Sequence, residues 1–144
     1  MESELLWTQL DIKWAIQKRS HWIPLDASKH KFALPFMDDY FESEFGFERL
    51  RAILKKHGVN EVYELRELTS SPEYELEVSA FYPTYDFDGE GFWCSKEMDW
   101  VIYVSHENSI TIGGEWLINM VKEVWPNWES RLWLDWKERL ARGI

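Results

Sequence analysis

The sequence predicts an α+β fold, an antiparallel sheet of about five strands with N- and C-terminal helices packed on one face. Apolar residues recur with a helical period at both ends of the chain. Between residues 61 and 113 they instead alternate with polar residues or form short runs, and turn-forming residues separate these segments. A chain of 144 residues that is 45% hydrophobic is predicted to form a single α+β domain, residues 1–144.

Two helices are predicted in the first 60 residues. The first covers residues 4 to about 18, where Trp7, Leu10 and Trp14 share one helical face. Prolines bound the next segment, residues 24–37, which is predicted to be irregular. The second helix covers residues 45–57, and the glycine that follows it is typical of a left-handed helix cap.

Five strands are predicted in the middle of the chain. The segment from Trp100 to Ser105 is apolar on both faces, so it is predicted to be a central strand. His106, Glu107 and Asn108 then form a tight turn that joins it to an antiparallel neighbour. The predicted strands are Glu61–Leu68, Tyr74–Ala80, Phe92–Ser95, Trp100–Ser105 and Ser109–Gly113.

Two helices are predicted to close the chain. Gly114 opens the first, and Pro126 ends it because proline cannot continue a helix. Asn127 is predicted to cap the second. Four apolar residues recur in the second helix at intervals of four: Trp128, Leu132, Trp136 and Leu140.

The composition is acidic and rich in tryptophan. The 26 Asp and Glu residues outnumber the 16 Lys and Arg residues, which gives a formal net charge of −10. Such a protein repels phosphates and anionic lipids, so the expected partner is a basic protein and neither nucleic acid nor a membrane. Of the ten tryptophans, one or two are expected on a binding surface.

The chain shows the features of a cytoplasmic protein. Its single cysteine, Cys94, excludes an internal disulfide and a multi-cysteine zinc site. No apolar run approaches the roughly 18 residues of a spanning helix, and the first residues lack the pattern of a signal peptide.

Residues 86–97 fit the spacing of an EF-hand calcium loop. Gly91 occupies the position of the sharp turn, and the candidate calcium ligands are Asp86, Asp88, Glu90 and Glu97. The flanking pattern argues against an EF-hand, because a strand is predicted where the entering helix is needed. The alternative is an acidic hairpin loop without metal.

No catalytic motif accompanies these features. The adjacent His106 and Glu107 resemble an acid–base pair, but they fall in a predicted turn without a nucleophile. No catalytic residue is therefore assigned. A small hydrolase or ligand-binding domain with a dispersed site stays open as an alternative.

The stretch Trp100–Glu107, the segment Ser109–Gly114, a short helix and Trp125–Trp128 together resemble a pattern in small acidic bacterial proteins of uncharacterised function. Some proteins of this kind act as immunity partners of secreted toxins. The resemblance covers residues 91–128 and implies a bacterial, non-enzymatic protein.

Acidity, aromatic excess and the lack of a catalytic motif favour a binding protein of immunity or inhibitor type, which neutralises a cationic toxin or nuclease by occlusion. Two acidic clusters are candidate partner-binding surfaces, with a plain solvated face as the alternative for each. Their residues are Asp38, Asp39, Glu42 and Glu44 in the first, and Asp86, Asp88 and Glu90 in the second.

Overall fold

The structure, a computed structural model, describes residues 3–16, 22, 30–67, 74–86 and 89–143. The helices are α1 (Ser3–Trp14), α2 (Asp38–Tyr40), α3 (Phe47–Lys56), α4 (Glu115–Val124) and α5 (Trp136–Ala141). The strands are β1 (Ala33–Met37), β2 (Glu61–Arg66), β3 (Tyr74–Glu77), β4 (Gly91–Cys94), β5 (Val101–Val104) and β6 (Ser109–Gly113). Within the described ranges, none of the helices has the length and apolar character that a membrane span requires.

The predicted α+β class is confirmed. Among the described residues, six strands form one antiparallel sheet in the order β1-β6-β5-β4-β2-β3. Every residue of β5 is buried, in agreement with its prediction as a central strand. The turn from β5 to β6 is also confirmed, with Val104 paired to Ile110 and Asn108 in the left-handed region at φ 62°.

Each face of the sheet carries its own apolar core, because successive side chains of a strand point to opposite faces. One core joins α3 and α4 to the face that carries Trp93 and Ile102. The other core joins α1 to the face that carries Phe92 and Tyr103. The arrangement therefore differs from the predicted one in placing α1 opposite α4. Both faces of the central strands are apolar, so both need a cover.

The predicted apolar faces of the first two long helices are confirmed, but α1 ends at Trp14 rather than near residue 18, because Ala15 takes a left-handed φ of 55°. Trp7, Leu10 and Trp14 of α1 are buried in the second core. At the end of α3, Gly58 has φ 96°, as expected for a glycine cap.

The edge strand β1 lies in the segment predicted to be irregular. Pro35 pairs with Thr111 from the edge of the sheet, where the missing N–H of proline is tolerated. The C-terminal segment covers this edge, since Leu132 forms a β-bridge with Phe36 and the Trp133 N–H donates to the Pro35 carbonyl at 2.9 Å.

The final helix is shorter than predicted. A 3-10 turn spans Trp128–Arg131, and Leu132 is extended because it bridges to the sheet edge. α5 begins only at Trp136, and its cap is Asp135, whose side chain accepts from the Glu138 N–H at 2.8 Å, rather than Asn127. β3 is also shorter than predicted, because residues 78–80 form a 3-10 turn.

Candidate functional site

The first predicted acidic cluster lines a groove of about 330 Å³. Asp38, Asp39 and Glu42 line one side, and Thr84 and Tyr85 line the other. These five residues define the acidic groove. The described residues of the second cluster, Asp86 and Glu90, do not line this groove, although Asp86 directly follows Tyr85 in the sequence.

The first side of the groove is built on α2 and the π-helical turn that follows it. The Asp38 N–H donates to the Asn108 carbonyl at 3.1 Å, which ties α2 to the β5–β6 turn. Phe41 and Phe45 stack at 4.8 Å on the buried side of the π-helical turn, so the carboxylates point outward. Partial burial raises the pKa of Asp38, and the nearby carboxylate of Asp39 adds to this rise.

A buried arginine holds the opposite side. The Arg66 guanidinium donates to the carbonyls of Thr84 and Gly89, both at 3.1 Å, and to Asp86 Oδ2 at 3.2 Å. Its Nε donates to Glu64 Oε2 at 2.9 Å. With only 3% of its side chain exposed, Arg66 fixes the loop that carries Tyr85 to the sheet. The sequence prediction missed this role; its one signal is the placement of Glu64 and Arg66 on the same face of a strand.

Exposed tyrosines border the acidic groove. Tyr82 and Tyr85 are each 49% exposed, and the Tyr82 hydroxyl lies 3.5 Å from Glu42 Oε2. Tyr40 is 37% exposed, and the Arg131 guanidinium lies 3.9 Å above its ring. Carboxylates beside exposed tyrosines form a polar and aromatic surface of the kind found at protein interfaces.

Several residues of the predicted clusters take part in internal contacts instead. Glu44 accepts from Arg131 Nη2 at 2.7 Å and from Trp125 Nε1 at 3.2 Å, and the Arg131 guanidinium lowers the pKa of Glu44. Glu90 is buried and is not part of the surface. Asp86 is paired with Arg66, and Asp88 lies outside the described residues.

Glu90 forms the centre of a buried hydrogen-bond network. Its Oε1 accepts from the Tyr103 hydroxyl at 2.5 Å. Its Oε2 lies 2.5 Å from His106 Nδ1 and accepts from the His106 N–H at 3.0 Å. The hydrogen bond to Glu90 raises the pKa of His106, and burial raises the pKa of Tyr103.

His106 and Glu107 do lie in the predicted turn, and His106 Nε2 is 3.0 Å from Glu107 Oε1. The bond from His106 to Glu90 was not apparent from their separation in the sequence. His106 does not line the acidic groove. The network holds the β5–β6 turn in place.

A 3-10 turn and a strand flank the predicted calcium loop, and β4 lies within it. The 3-10 turn at residues 78–80 precedes the loop and β5 follows it, so no pair of helices flanks it. Within the described part of the chain, no group of three or more His, Cys, Asp or Glu side chains is placed to hold a metal ion. Since Asp88 lies outside that part, calcium binding through Asp86, Asp88, Glu90 and Glu97 stays a prediction.

Cys94 is packed in the second core, as its alternation with Trp93 predicts. Burial raises the pKa of its thiol to about 12. A thiol of this kind is not a nucleophile at neutral pH.

The chain matches no family model, no curated protein and no solved structure at a significant level. The resemblance to small acidic bacterial proteins, and the immunity function it implies, therefore stays a prediction.

Proposed function

We propose that this protein is a non-enzymatic binding protein of immunity or inhibitor type, which neutralises a cationic protein such as a toxin or nuclease. The acidic groove carries this proposal, because it combines outward carboxylates with the exposed Tyr85 and lies beside the exposed Tyr82, whose hydroxyl is 3.5 Å from Glu42 Oε2. Carboxylates accelerate the encounter with a basic partner, and tyrosines supply apolar contact area at low entropic cost.

The mechanism is occlusion of a basic cleft. Asp39 and Glu42 are exposed and would pair with lysine or arginine side chains that otherwise bind substrate. Because Arg66 anchors the loop, Tyr85 is held in place before binding. Little conformational entropy is therefore lost when the partner binds. The proposed setting is the bacterial cytoplasm, and no bond-making chemistry is assigned.

The test compares two variants with the same loss of charge. The groove variant carries Asp38→Asn, Asp39→Asn and Glu42→Gln, and the control carries Glu77→Gln, Glu123→Gln and Glu129→Gln. Each raises the formal charge of −10 by three, but only the first alters the groove. Proteins captured from the source organism are identified by mass spectrometry, and their association and dissociation rates are measured with each variant.

We expect a basic partner that binds the wild type and the control, whose own activity the wild type inhibits. Its affinity should fall at least about 100-fold with the groove variant, as at charge-paired interface centres. Its association rate should fall steeply as salt rises. A partner that binds both variants equally, or a salt-independent association rate, would contradict the proposal.

A further inference from the structure

The C-terminal helix α5 carries an apolar face that is open to solvent. Five of its six residues are exposed, and Glu138 is half-buried. Trp136 is 67% exposed and Leu140 is 68% exposed, and neither belongs to the two apolar cores. Side chains four residues apart share one face of a helix, so these two form a continuous apolar face. Since so short a helix is barely stable on its own, another surface is expected to cover this face.

Basic side chains flank the apolar face of α5. Lys137 is three residues before Leu140, and Arg139 is three residues after Trp136, so one lies on each side of the face. Both are exposed. Residues 135–143 carry three basic and two acidic side chains, whereas the whole chain has a formal net charge of −10. The helix is therefore complementary in charge to the chain that carries it.

The acidic groove has the chemistry that this helix lacks. Asp39 and Glu42 are exposed on one side of the groove and can pair with basic side chains. Tyr85 lines the other side and Tyr82 lies beside the groove, each of them 49% exposed. Tyrosine rings are suited to contact with apolar side chains at an interface. The groove therefore offers both kinds of contact that the face of α5 needs.

The path of the chain carries α5 away from the groove of its own molecule. The groove begins at Asp38, directly after the last residue of β1. The C-terminal segment runs antiparallel to β1, because Leu132 bridges to Phe36 and the Trp133 N–H then donates to the Pro35 carbonyl. It therefore moves away from α2 as it approaches α5. Residues of α5 are accordingly not among those that line the groove.

We infer that the apolar and basic face of α5 docks in the acidic groove of a second copy of this chain. Two copies related by a two-fold axis place each α5 in the groove of the other, which makes two identical contacts and a closed dimer. An anionic membrane fits the helix less well, because the net charge of −10 repels it. The covered surface is small, so we expect association in the micromolar range. The dimer and a bound basic partner exclude each other, a consequence that rests on the proposed function.

The first test is sedimentation velocity of the full chain at concentrations from about 1 to 200 μM. We expect a dimer that weakens as salt rises. The helix variant, Trp136→Ser with Leu140→Ser, should dimerise at least about tenfold more weakly than the wild type. The control, Leu5→Ser with Ile12→Ser, also removes two exposed apolar side chains, but from α1, and should dimerise like the wild type.

Charge reversal identifies the surface that α5 contacts. One variant carries Lys137→Glu and Arg139→Glu, and the other carries Asp39→Lys and Glu42→Lys. Each alone should be monomeric, because the helix and the groove then have the same sign of charge. A mixture of the two should dimerise, since the reversed helix meets the reversed groove and the two unchanged surfaces meet each other. A folding defect cannot produce this recovery.

The inference is overturned if the wild type stays monomeric over this range, or if both serine variants weaken the dimer equally. It is also overturned if the mixture of charge-reversed variants stays monomeric. A monomer that binds vesicles containing phosphatidylserine, and loses this binding with the helix variant, would assign α5 to a membrane instead. A monomeric chain that captures a basic partner would refute this inference alone, and a dimer without such a partner would refute the proposed function alone.

Discussion

Replacement of Tyr103 by phenylalanine tests the network around Glu90 most directly. The Tyr103 hydroxyl is the donor to Glu90 Oε1 at 2.5 Å, while both contacts with His106 involve Oε2. In Tyr103→Phe, Oε1 of the Glu90 carboxylate therefore loses this donor, and Glu90 is only 2% exposed. The ring itself stays in place against Phe92, 4.7 Å away.

Loss of a hydrogen bond to a buried charged group costs about 1.5–3 kcal/mol. We expect Tyr103→Phe to lower the free energy of unfolding by about 2 kcal/mol at neutral pH. In a urea titration this change shifts the unfolding midpoint by roughly 1 M, given how steeply the free energy of unfolding of a chain of this size usually falls with urea concentration.

The control is Tyr85→Phe, which removes a hydroxyl from a side chain that is 49% exposed and should change stability by less than about 0.5 kcal/mol. If Tyr103→Phe is as stable as this control, the hydroxyl contributes nothing to the buried carboxylate and the reasoning fails.

Two further predictions concern a glycine and a histidine. Gly114 has φ 123°, and a Cβ there would lie 2.6 Å from the Asp99 carbonyl oxygen, so Gly114→Ala should cost more than about 2 kcal/mol in thermal or urea unfolding. Gly58→Ala, at φ 96° with no atom within 4 Å of the added Cβ, should cost only about 1 kcal/mol, and equal costs would argue against the clash. Glu90 raises the pKa of His106 above 6.5. The stabilisation of the folded state by protonated His106 is therefore complete below pH 6.5 and is lost as the pH rises through the folded-state pKa of His106. His106→Gln should therefore destabilise the protein more at low pH than at high pH in urea titrations across this range, and a constant difference would show that the imidazolium is not involved.

The elements that sequence patterns predicted well are those in which local spacing and burial agree. β5 is apolar at every position and occupies the middle of the sheet. α3 and α4 each carry one apolar stripe and end near a glycine or a proline. These elements depend little on distant parts of the chain.

The elements that were missed depend on contacts between distant residues. β1 contains Pro35, which normally argues against a strand, and it is stable here only at a sheet edge covered by the C-terminal segment. Leu132 fits a helical spacing, but its bridge with Phe36 holds it extended. At both places, β-pairing between residues distant in sequence therefore outweighed the local preference for another backbone conformation.

The candidate site also combines features that the local sequence predicts with features that depend on contacts between distant residues. The sequence identified an acidic cluster near residue 38, but not the second loop, which carries Thr84 and Tyr85 and faces this cluster across the groove. Their proximity depends on Arg66, which holds the second loop, and on the Asn108 carbonyl, which holds the start of α2. The internal contacts of Glu44 and Glu90 also depend on tertiary structure, because their partners Arg131 and His106 are distant in sequence.

The four-residue connection between β5 and β6 has an unusual constraint on its length. Surface connections of this kind commonly accept extra residues during evolution. Here the carbonyl of Asn108 binds the amide of Asp38, and the carbonyl of Glu107 accepts from Trp133 Nε1 at 2.8 Å. An insertion would move both acceptors and release two distant segments together, so relatives of this chain should keep the connection at its present size even where the residues change.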